Sequence, residues 1–126
     1  MSEKTDKPVL SPGPDHPISV TPAGQVVTVS QRGRVIARTD SALVLRESTY
    51  PPVYYLPLVA VDADVLRATD HATYCPYKGD ASYYSLVDGD SVVQNALWSY
   101  LEPYESVSPI AGHVAFYPQH VEVTSG

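Results

Sequence analysis

The chain of 126 residues has a single cysteine, a single phenylalanine, a single tryptophan and a single methionine. One cysteine excludes an intrachain disulfide and any multi-cysteine zinc knuckle, and it suits a reducing compartment. Basic residues are scarce in one half. From Ala68 to Gly126 the only Lys or Arg is Lys78, against seven Asp and Glu. From Met1 to Arg67 seven basic and seven acidic residues cancel, so the second half carries the whole formal charge of −6. That surface repels phosphate backbones, and nucleic acid is not an expected partner. No apolar run approaches the roughly 20 residues of a membrane-spanning helix. The charged start Met1–Lys7 is followed by no apolar stretch of the kind a secretory leader needs. The expectation is a soluble, cytoplasmic protein with no membrane partner.

Proline and tyrosine are plentiful instead, at twelve and ten residues. Each proline removes a backbone donor and fixes φ, which works against long helices. Tyrosine suits half-buried sheet faces, where the ring packs and the hydroxyl stays wet. Together they predict a mostly β fold: one small domain of short antiparallel strands with one short helix. Met1–Pro22 holds five prolines, five charged residues and few large apolar ones. It reads as a flexible Pro-rich arm, mobile to about Pro14, ahead of a single β domain over residues 23–126.

Runs of β-branched residues predict strands at 25–30, 35–38 and 42–47, with a turn over Gln31–Arg34. Further strands are expected at 53–56, 81–87, 91–100, 113–117 and 121–123, with 81–87 and 91–100 joined by Asp88-Gly89-Asp90. Asp62 is placed to cap a short helix over Ala63–Ala68. The expected core is Val27, Val29, Leu43, Leu45, Leu56, Leu66, Leu86, Val92, Leu97, Val114 and Phe116.

Chemistry concentrates in Thr73–Tyr84. This stretch holds the only cysteine, four tyrosines and the lone cation of the acidic half. Cys75 with Lys78 nearby is a candidate nucleophile, since a cation raises the thiolate fraction and His113 or His71 would serve as base. The ordinary reading of a free cysteine is a small buried side chain. His71, Cys75, His113 and His120 are of ligand type, but Pro76 spoils the helical spacing of the first two, so no metal and no cofactor are expected. Lys78-Gly79 lacks the earlier glycine of a phosphate-binding loop. Asp62/Asp64 and Asp88/Asp90 are paired acids able in principle to hold Mg²⁺, yet the first pair also reads as a cap and the second as a hairpin tip. Tyr54/Tyr55 and Tyr83/Tyr84 each send one ring to either face of a strand, so one ring of each pair can line a cavity. Lys78 needs a partner if buried, and Glu47, at a strand end, is the nominated one.

Cys75-Pro76-Tyr77-Lys78-Gly79-Asp80-Ala81-Ser82-Tyr83-Tyr84, Asn95–Tyr100 and Ala111–Pro118 resemble the bacterial family called domain of unknown function 427. Leu45-Arg46-Glu47, Tyr54-Tyr55-Leu56-Pro57 and Asp64-Val65 fit the same pattern, with Leu56 where the family often has Phe. The resemblance spans about Val26 to Val123 and implies a compact β domain, tent or barrel-like. It also implies a nucleotidyltransferase-like alternative, although no Gly-Ser pair precedes Asp62-Ala63-Asp64.

The leading functional expectation is a small-molecule site in an aromatic-lined pocket beside the Cys-Pro-Tyr-Lys-Gly stretch. Glu47, Tyr55, Tyr77, Lys78 and Trp98 would bind the ligand. Cys75, Lys78 and His113 are the candidates for catalysis, if the domain is an enzyme at all. A nucleotidyltransferase-like or Cys-dependent enzyme and a structural or interaction module are the alternatives, and homo-oligomerisation stays open.

Overall fold

A computed structural model describes residues 8–126. Among these residues ten strands follow one another: β1 (Ile18–Pro22), β2 (Val27–Gln31), β3 (Arg34–Thr39), β4 (Leu43–Glu47), β5 (Val53–Pro57), β6 (Leu66–Cys75), β7 (Gly79–Asp88), β8 (Ser91–Ser99), β9 (His113–Phe116) and β10 (Glu122–Ser125). They form a seven-stranded sheet in the order β1-β4-β5-β9-β8-β7-β6 and a three-stranded sheet in the order β10-β2-β3. All the pairings are antiparallel. Among the described residues β1 and β6 are open edges, so the sheet does not close into a barrel. Among the described residues, helical structure is confined to short 3-10 segments at Leu58–Ala60, Ala63–Val65 and Glu105–Ile110.

Two expectations change here. The helix predicted over Ala63–Ala68 is one 3-10 turn over Ala63–Val65, and Leu66–Cys75 continues as a ten-residue strand. Asp62 does cap, accepting the Asp64 N–H at 2.9 Å. One cap cannot carry a helix that short, whereas pairing along β7 supplies a ladder of backbone hydrogen bonds. The segment read as an arm also contributes β1, whose Ile18–Pro22 pair with Leu43–Glu47. Residues 1–7 of that segment lie outside the described residues.

Residue alternation gives the large sheet two packed faces. On one face Leu56, Leu86, Leu97, Val114 and Phe116 meet Val27, Val29 and Ile36 of the small sheet. On the other face Leu45, Tyr55, Tyr83, Tyr100 and Ala115 meet Val107 and Ile110 of the last 3-10 segment. Each fully buried aliphatic side chain contributes about 1.5–3 kcal/mol. Val92, expected in the core, is 43% exposed. It lies opposite Val87 next to the β7–β8 hairpin tip, beyond the register shift between Tyr84 and Leu86.

One irregularity positions the site. β5 and β9 are registered only at Leu56–Val114 and Pro57–His113. Before that point Val53–Tyr55 follow β4, and after it β9 follows β8. The two strands therefore part, leaving a fork between Tyr54-Tyr55 on one side and Phe116-Tyr117 on the other.

Candidate functional site

A cavity of about 530 Å³ occupies that fork. Tyr55, Tyr83, Trp98, Tyr100, Phe116 and Tyr117 supply its aromatic lining, and Pro51, Pro52 and Pro118 also border it. Among the described residues its only charged lining residues are Glu47 and Lys78. Trp98 Nε1–H donates to the Tyr55 hydroxyl at 3.2 Å, and the two rings meet edge to face. Trp98 leans on Tyr117 at 4.6 Å between centroids. These contacts fix the ring orientations, because each ring is braced by another.

Lys78 is brought in by a tight turn between β6 and β7. Its N–H donates to the Cys75 carbonyl at 3.2 Å, and its carbonyl accepts from the Tyr104 N–H at 3.0 Å. Gly79 follows with φ +110°, and a Cβ there would lie 3.4 Å from the Glu102 carbonyl oxygen. Only glycine takes that conformation freely, so it allows Lys78 to face inward directly before the strand begins. Lys78 is 8% exposed. Its Nζ donates to Glu47 Oε1 at 2.6 Å.

The second carboxylate oxygen is taken by a residue that sequence reasoning missed. His16 Nε2 lies 2.8 Å from Glu47 Oε2, and the His16 ring stacks on Tyr77 at 4.1 Å with a 6° interplanar angle. His16 is held by a bridge with Gly13, while Leu10 N–H donates to the Pro76 carbonyl and the Tyr74 hydroxyl donates to the Pro8 carbonyl. Residues 8–17 thus run across the turn that presents Lys78. No local signal marks His16, which sits in a proline-rich segment 31 residues from Glu47.

The electrostatics follow from this packing. Burial works to raise the Glu47 pKa, but hydrogen bonds and positive charge from Lys78 and His16 outweigh it and hold the carboxyl below its ordinary 4.5. Tyr117 is pushed up to about 12, first by burial and then by the Tyr83 hydrogen bond. Burial also raises Tyr55 and Tyr100, the Trp98 hydrogen bond offsetting this only partly at Tyr55. The phenols therefore remain neutral hydroxyls at physiological pH.

Of the residues expected at the site, Glu47, Tyr55, Lys78 and Trp98 line the cavity together. Tyr77 stands beside it through its stack on His16. Cys75 ends β6 and packs against the second core, and among the described residues no hydrogen bond joins its thiol to an imidazole. His113 turns to the Ala111 carbonyl oxygen, 3.0 Å from Nδ1, and His71 sits edge-on to Tyr83. Asp62 meets Arg34 at 3.0 Å, and Asp88 lies at the hairpin tip, so neither acid pair borders the cavity. No group of three or more His, Cys, Asp or Glu able to hold a metal occurs among the described residues. No described helix is long and apolar enough to cross a membrane.

A search of curated proteins returns no match. The family model described as "Domain of unknown function (DUF427)" matches residues 19–125, from β1 to the last strand, and the chain belongs to that family.

Proposed function

We propose that this domain binds a small molecule in the fork between β5 and β9. The observation that carries the reading is the composition of the cavity: aromatic walls, with one buried ion pair as the only charge among the described residues. Ligand sites are concave and mostly apolar, with a few convergent polar groups that set orientation. A volume of about 530 Å³ falls in the range of such sites. Trp98 and the tyrosines would supply contact area, and Lys78 with Glu47 the orientation. Tyr77 and His16 would brace Glu47 from outside.

Binding to the native state stabilises it, so a thermal-shift screen of drug-sized aromatic compounds is the direct test. Trp98 is the sole tryptophan and lines the cavity, so its emission reports the site. The expected hit raises the melting temperature and changes Trp98 emission with the same saturation curve. A screen whose hits leave Trp98 emission unmoved overturns the reading, as does one without hits.

A further inference from the structure

We infer that the cavity selects an uncharged planar aromatic compound bearing a carbonyl-type hydrogen-bond acceptor; this rests on the binding reading above. The polar end of the cavity still has hydrogen-bond donors to offer. An ammonium has three donors. Among the described residues Lys78 Nζ gives one of them to Glu47 Oε1 and has no other partner, although the residue is 8% exposed. Both Glu47 oxygens already hold a donor, one from Lys78 and one from His16. The Tyr55 oxygen accepts from Trp98, which leaves its own O–H to donate. The free Lys78 donors and the Tyr55 O–H call for an acceptor.

Charge decides which acceptor. Among the described residues Lys78 and Glu47 are the charged groups that line the cavity, and they are paired with each other. A ligand carboxylate would bring a second anion beside Glu47, and a ligand ammonium a second cation beside Lys78. Either would be desolvated among aromatic walls without its own counter-ion, which costs more than the contact returns. A carbonyl oxygen accepts from Lys78 and Tyr55 without that cost. The braced, non-parallel rings of Tyr55, Trp98 and Tyr117 leave flat faces for a planar ring system.

The test is calorimetric titration of the full chain with four probes: naphthalene-2-carboxamide, naphthalene-2-carboxylate, 2-naphthylmethylammonium and cyclohexanecarboxamide. The carboxamide of naphthalene is expected to bind about tenfold more tightly than each of the others, the margin of one hydrogen bond to a charged donor. In Lys78→Met its affinity is expected to fall about tenfold. A carboxylate or ammonium that binds as well as the naphthalene carboxamide overturns the inference but leaves the binding reading standing. So does an aliphatic amide that matches it, or a Lys78→Met protein that binds it unchanged. If no naphthalene probe binds at all, both fail. The four-probe comparison on the unaltered protein decides the matter even if Lys78→Met does not fold.

Discussion

Removing one partner of the Lys78–Glu47 pair should cost far more than removing both. The pair is 2.6 Å long, with side chains 10% and 14% exposed. In Lys78→Met the Glu47 carboxylate keeps His16 but loses its closest cation. Breaking a buried pair in this way typically costs about 3–5 kcal/mol. The stranded carboxylate can escape by taking up a proton. From an ordinary value of 4.5 that costs about 3.4 kcal/mol at pH 7, which caps the loss from the stranded charge. We therefore expect Lys78→Met to lose about 3 kcal/mol, and Glu47→Leu to lose a similar amount by leaving a buried ammonium. The double change fills the same space with apolar groups and should lose only about 1 kcal/mol, a coupling of several kcal/mol. Urea unfolding of the four proteins at pH 7, with a common m-value, measures it. Additive single losses, or singles that each cost less than about 0.5 kcal/mol, would refute the buried-pair argument.

Acidification provides an independent check. Glu47 has a folded pKa below its ordinary 4.5, so its contribution is present above that value and is lost as pH falls through the folded one. The urea midpoint should drop across that window, and Glu47→Gln should flatten the drop; an unchanged acid slope in the variant speaks against the assignment. Gly79→Ala should destabilise by about 1–3 kcal/mol, because an L-residue at φ +110° is strained and its Cβ crowds the Glu102 carbonyl. A thermal melt matching the parent would show that the turn relaxes freely. His16→Ala removes a bond to the carboxylate and the stack on Tyr77, for a loss of about 1–2 kcal/mol. Limited proteolysis should cut residues 8–17 faster in this variant, and an unchanged rate would mean that His16 does not hold the segment down.

The legible parts of the fold are those with a local or compositional cause. Val27 and Val29 alternate with Thr28 and Ser30, so β2 announces both its type and its buried face. Gln31–Arg34 turns as expected, with Arg32 at φ +53° and Gly33 at φ +78°. Lys78 was readable as a residue in need of a partner because it is the lone cation of an acidic half, and Glu47 as that partner because it ends a strand. Tyr55 was readable as one ring of an adjacent tyrosine pair that faces both sides of a strand. β6 was not readable. Its Arg67-Ala68-Thr69-Asp70-His71-Ala72-Thr73 shows no apolar alternation, because this edge strand is largely exposed along that stretch. Its strand character comes from β7, not from its own side chains. The fork is equally hidden, since it depends on where β5 exchanges β4 for β9. His16 reaches Glu47 only through the path of residues 8–17 over the turn, which no residue pattern encodes.

The fork between β5 and β9 is where we propose that this domain takes its ligand. The most direct measurement is nitrogen–proton NMR of the labelled protein titrated with naphthalene-2-carboxamide. The account predicts saturable shifts of the Trp98 indole Nε1–H signal, together with the backbone amides of Val53–Tyr55 and Phe116–Tyr117. A second, polar concavity lined by Arg67, Thr69, Asp70, His71, Gln94 and Asn95 serves as the internal control. Shifts confined to those residues, with the Trp98 indole signal unmoved at saturation, would contradict the account.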